Sequence, residues 1–134
     1  MIEYKDGFRY QLHSTYSIRL PWLAGQPDYH AEFLSVSGDL LTIEKGYAWD
    51  GPSGPTWDSK STMRASLVHD ALYQLMRMGA LPESCRGPSD DELYNLCVED
   101  GTWKTRAWAW WKGVRWGAGG AAKKGTEREI IIAP

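Results

Sequence analysis

His69 and Asp70 stand side by side in the segment KSTMRASLVHDALYQLMR, and Tyr73 lies one helical turn beyond His69. An imidazole so placed can act as a base near neutral pH. A histidine at the edge of a core, satisfied by a backbone carbonyl, accounts for the same dipeptide, and spacing alone leaves both readings open. Upstream, Asp50, Ser53 and Asp58 lie in GYAWDGPSGPTWD, whose prolines and glycines bar a regular element over most of its length and let backbone approach a ligand closely. Loop carbonyls with one or two carboxylates are the oxygen donors that Ca²⁺ or Mg²⁺ requires, so this loop is a candidate site for a divalent cation. An ordinary turn, with the aspartate bonding its own backbone, explains Asp50 equally well. Downstream, Arg86 is a candidate phosphate clamp or the ionic partner of Asp90 and Asp91, which also suit the positive first turn of a helix. His13, His30, Cys85 and Cys97 lack zinc-ligand spacing, and there is no Walker loop, dinucleotide fingerprint or nucleophile elbow.

Positioning these side chains requires a scaffold, and the hydrophobic pattern supplies one. Leu67, Val68, Ala71, Leu72, Leu75 and Met76 form one stripe at helical spacing, which predicts a helix over Thr62–Met78 ended by Gly79. Ser89 and Glu92, three apart, read as a capping box and predict a second helix over Ser89–Glu99. A third, Thr105–Gly117, carries Trp108, Trp110, Trp111, Val114 and Trp116. Before them, Phe8, Tyr10 and Leu12, then Tyr16, Ile18 and Leu20, recur at period two and predict a strand pair. Tyr29–Val36 and Leu40–Glu44 flank Ser37-Gly38-Asp39 as a hairpin. Gly117–Gly125 reads as a flexible stretch, and Arg128–Ile132 as a final strand. Strands first and helices afterwards define an α+β fold: a small N-terminal antiparallel sheet packed on about three helices, with a short C-terminal strand.

The chain has 134 residues, 43% hydrophobic and 24% charged, which suits one domain over 1–134 and argues against wholesale disorder. A formal charge of -2 does not provide the basic face that non-specific duplex binding needs. No apolar run approaches the roughly 20 residues of a membrane span, and MIEYKDGFRY lacks the order of a signal peptide, so the expected location is a cytoplasm. The two cysteines are expected to be unpaired core residues. Of the eight tryptophans, five fall between Trp103 and Trp116.

The segments KGYAWDGPSGP (45–55), HDALY (69–73) and Arg86-x-x-Ser89-Asp90 resemble, in order and separation, a family of small phage and prophage proteins catalogued as a domain of unknown function. Its pattern is G-[YF]-x-x-D-x-x-S-x-P, then H-D-x-L-Y, then R-x-x-A-D. The likeness covers about Lys45 to Val114, and departs at Ser89, where alanine is usual, and in the Trp-rich third helix. It implies a phage-encoded protein at work in the host cytoplasm. The order of loop, His-Asp helix with an aromatic one turn on, and aspartate on an antiparallel helix is also similar to the prokaryotic secreted phospholipases. That likeness implies Asp50 and Asp70 as metal ligands, His69 as the base and Asp90 as the acid that orients it. The chain departs from those enzymes by lacking a cysteine ahead of the histidine and by beginning with a sheet.

The expected function is a small metal-assisted hydrolase of a phosphodiester, including a nucleotide signal of host immunity, or of a lipid ester. In it His69 and Asp90 are catalytic, Asp50 and Asp70 hold the cation, and Ser53, Tyr73 and Arg86 contact the ligand. Two alternatives use the same residues: an anti-defence protein that sequesters a nucleotide or a host protein, its tryptophans stacking on bases, and a virion or assembly component in which they form a buried polar network. Two geometric expectations follow. The Gly46–Asp58 loop should lie over the His69 helix, and His69, Asp70, Asp50, Arg86 and Asp90 should form one polar cluster around a partly exposed imidazole.

Overall fold

The computed structural model describes residues 10–49 and 60–117, which fall into two units. The first is all β. Its strands are β1 (Tyr10–Gln11), β2 (Tyr16–Arg19), β3 (Tyr29–His30), β4 (Leu34–Ser37), β5 (Leu40–Ile43) and β6 (Ala48–Trp49). Four of them make an antiparallel sheet in the order β2-β5-β4-β3, and β1 pairs separately with β6. The expected hairpin is present: Gly38 and Asp39 connect β4 to β5, and Gly38 takes φ +60, the conformation that a two-residue turn demands at its first position. Alternation then decides the faces. Leu34 and Val36 on β4 are paired across to Ile43 and Leu41 on β5, and all four are buried. On the other face Ser17 and Thr42 share a hydrogen bond of 3.2 Å. Gly46, at φ +100, cannot be replaced cheaply, because a Cβ there would stand 2.9 Å from the Phe33 ring.

The period-two run before Leu20 does form strands, but not with each other. Tyr10 and Gln11 pair with Trp49 and Ala48, and Tyr16–Arg19 pairs with Leu40–Ile43. Alternation reports which face a residue occupies and carries nothing about the partner strand, which long-range contacts select. Tyr29–Val36 is likewise two strands, with Tyr29 folded back to face Val36.

The second unit is helical: α1 (Lys60–Arg77), α2 (Arg86–Glu99) and α3 (Lys104–Gly117). With antiparallel strands ahead of three helices, the chain is α+β. All six residues of the α1 stripe are buried, and so are Ala65, Ser66, His69, Tyr73 and Gln74, so α1 is covered nearly all round rather than along one face. Gly79, in the left-handed conformation at φ +79, ends it, with the Ala80 N–H bonded back to Leu75 O at 2.9 Å. α2 packs against both α1 and α3. The two ends of the α1–α2 hairpin are tied by Arg64, whose guanidinium forks onto both Asp100 oxygens at 2.9 and 2.8 Å.

The start of α2 departs from the capping-box expectation. The helix begins at Arg86, so Ser89 is already inside it, and its hydroxyl donates to the Cys85 carbonyl at 2.7 Å instead of capping. Pro88 explains the extra turn, since its fixed φ is helical and its missing N–H falls among donors that a first turn leaves unpaired anyway. Cys85 and Cys97 are free and buried, and burial pushes both thiols up, Cys97 to about 11, so neither is poised as a thiolate. Among the described residues no helix is long and apolar enough to cross a membrane. The expected strand at Arg128–Ile132 and most of Gly117–Gly125 lie outside the described residues.

Candidate functional site

Three helices converge on one carboxylate. α1 places His69 and Tyr73 one turn apart, their ring centroids 4.2 Å from each other and both side chains buried. α2 brings up Asp90, which is 0% exposed. His69 Nε2 lies 2.7 Å from Asp90 Oδ1, the Tyr73 hydroxyl donates to the same oxygen at 2.7 Å, and Arg115 Nη1 from α3 donates to Oδ2 at 3.0 Å.

Burial alone would raise the pKa of Asp90, but the bonds from His69 and Tyr73, the His69 charge and the bond from Arg115 outweigh it and hold the carboxyl below its usual range. Asp90 is therefore an acceptor only, which assigns the shared proton to His69 Nε2 and leaves the lone pair of a neutral ring on Nδ1. Nδ1 has no hydrogen-bond partner among the described residues. Tyr73 moves the other way: burial first, then the bond to and the charge of Asp90, push its phenol well above the ordinary value, while Arg86 pulls weakly against them. Tyr73 thus stays a neutral donor.

These shifts have opposite consequences for stability. A carboxyl held low in the folded state contributes stability that is complete above the unfolded value, about 3.9, and is lost as pH falls through the folded one. Asp90→Asn is expected to flatten that acid-side loss, measured as urea midpoints from about pH 5 downward. An unchanged acid slope would mean that Asp90 is not the group responsible. A phenol held high contributes stability that is complete below about pH 10 and is lost as pH rises. Tyr73→Phe should therefore cost about 1 kcal/mol at neutral pH, because Asp90 keeps two donors, and should reduce the alkaline loss. Equal losses for parent and variant above that pH would contradict the assignment.

The structure brings together part of the expected cluster. His69, Tyr73 and Asp90 are joined directly. Arg86 stands beside the Tyr73 hydroxyl, but its Nη2 donates to the carbonyls of Val114, at 3.2 Å, and Arg115, at the end of α3, and not to Asp90 or Asp91. A guanidinium serves carbonyls at a helix C-terminus as well as it serves carboxylates. The ionic partner of Asp90 is Arg115, which no spacing in the sequence singled out. Asp91 is exposed and accepts from Trp111 Nε1 at 2.9 Å. The imidazole, expected to be partly exposed, is only 7% exposed, because α1 is covered on the side that carries it. Asp70 is half-buried, about 100° round α1 from His69.

Asp50 and Ser53 lie outside the described residues, as does the loop beyond Trp49, whose beginning, Ala48–Trp49, is β6. Among the described residues no group of three or more His, Cys, Asp or Glu side chains is placed to hold a metal ion. Of the two expected ligands they supply Asp70 alone, short of the six or more oxygens that Ca²⁺ takes, so no step below is routed through a cation. Compared with protein-family models, with curated proteins and with solved structures, the chain matches none. What the arrangement offers chemically is an imidazole with one nitrogen fixed on an anionic carboxylate and the other without a hydrogen-bond partner among the described residues.

Proposed function

We propose that the protein is a small hydrolase of a phosphodiester or a carboxylic ester, with His69 as general base and Asp90 as the residue that orients it. The observation that supports this most is the Nε2–Asp90 bond with Nδ1 left unpartnered among the described residues. A buried histidine kept only for packing gains nothing from a charged carboxylate that is itself costly to bury. In the proposed reaction a water gives its proton to Nδ1 as its oxygen attacks phosphorus or the carbonyl carbon. The imidazolium, stabilised by Asp90, then returns the proton to the departing oxygen. Asp90 remains an anion throughout, which its three donors favour. A contribution from a cation at Asp50 and Asp70, and the phage setting, rest on the likenesses in sequence alone.

The test is a survey of purified protein against bis(p-nitrophenyl) phosphate, cyclic and linear dinucleotides, p-nitrophenyl esters and phospholipids, each with and without Ca²⁺ and Mg²⁺. Hydrolysis of one class by the parent, lost in His69→Gln, is the expected result. Hydrolysis that survives His69→Gln, or none with any substrate, would overturn the reading in favour of a buried structural network.

A further inference from the structure

Tryptophan is normally drawn into a core, yet three on or beside α3 face solvent: Trp103 is 81% exposed, Trp108 51% and Trp116 83%. The helix is held by its opposite side, where Ala107 and Trp110 are buried. Along the outward side Lys104, Trp108, Lys112 and Trp116 recur every four residues, which puts them in one stripe about 18 Å long. The Lys112 ammonium sits 4.9 Å from the Trp108 ring centroid and 6.0 Å from that of Trp116, so cation and indoles form one surface. The helix carries Lys104, Arg106, Lys112 and Arg115 and no acidic residue, in a chain whose formal charge is -2. Among the described residues Asp91, on α2, accepts a bond from Trp111 beside this face.

We propose that α3 docks along a lipid surface rich in anionic headgroups, with Trp108 and Trp116 seated at headgroup depth and Lys104 and Lys112 against lipid phosphates. Indole suits that depth, since its body is apolar and its N–H finds acceptors there. The lysines supply attraction that a zwitterionic surface does not return. A stripe of this kind lies in the interface and does not span it. The proposal rests on α3 alone and stands whether or not His69 is catalytic. Were the hydrolase reading also correct, it would favour a lipid ester as the substrate.

Co-sedimentation of the full chain with vesicles of phosphatidylcholine, alone or mixed with phosphatidylglycerol, tests it. Binding is expected only with phosphatidylglycerol present, together with a blue shift of tryptophan emission and weakening by salt. Lys104→Gln and Lys112→Gln should each lower affinity roughly fivefold. The double change Trp108→Ser and Trp116→Ser should reduce it more than tenfold, with far-UV circular dichroism preserved because both side chains are exposed. Failure to bind the mixed vesicles, binding that all these variants retain, or stronger capture by a single-stranded oligonucleotide than by vesicles would each overturn the proposal.

Discussion

Asp90→Ala is expected to be the most destabilising single change at the three-helix junction, at about 3–5 kcal/mol, because it strands buried partners of a buried charge. The Asp90 side chain is fully enclosed, and three donors from two other helices end on it: His69 Nε2, the Tyr73 hydroxyl and Arg115 Nη1. Without the carboxylate, His69 and Tyr73 keep their donors in a site with little water, and the Arg115 guanidinium, one-third exposed, loses its counter-charge. Domains of this size are stable by only about 5–15 kcal/mol, so the loss should lower the melting temperature by roughly 10–20 °C. The neighbouring aspartate is the natural control. Asp91 is exposed and bonded to Trp111 alone among the described residues, and Asp91→Ala should change stability by less than about 1 kcal/mol. Thermal and urea unfolding of both variants checks the contrast, and equal effects would show that the junction is not held through Asp90.

How far this junction was legible in the sequence depends on how local each part is. The apolar stripe of α1 and the i, i+4 relation of His69 to Tyr73 are set by helical geometry, and both are visible in one short segment. Asp90 was reached because its motif follows the histidine motif in a known order, not because anything near residue 90 marks it as buried. Arg115 left no trace, since its role depends on how α3 lies against α2 and no spacing within α3 encodes that. For Arg86 the residue type was informative and the partner was not: several acceptors satisfy a guanidinium, and the carbonyls ending α3 were the ones within reach. The strands show the same division. Their alternating faces could be read off, but β1 found β6 and β2 found β5 across more than twenty residues of chain.

The second large effect is expected in turnover. His69→Ala should lower hydrolysis about 10²–10⁴-fold, the usual contribution of a positioned general base. The variant must be interpreted beside its stability, because His69 is buried and its removal opens space as well as taking one donor from Asp90. Tyr73 and Arg115 remain on that carboxylate, so the cost should stay near 1–3 kcal/mol and leave a folded protein at room temperature. His69→Gln separates the two roles more sharply, since its amide can still donate to Asp90 but cannot accept a proton from water. If the histidine is a base, His69→Gln should be close to the parent in melting temperature and as inactive as His69→Ala. If it is only a structural donor, His69→Gln should restore whatever His69→Ala loses. Asp90→Asn completes the set: with the carboxylate replaced by an amide, nothing anionic faces the imidazolium that forms during attack, and turnover should fall while substrate affinity is kept. A fall in affinity with turnover unchanged would place Asp90 in substrate binding and not in the orientation of His69.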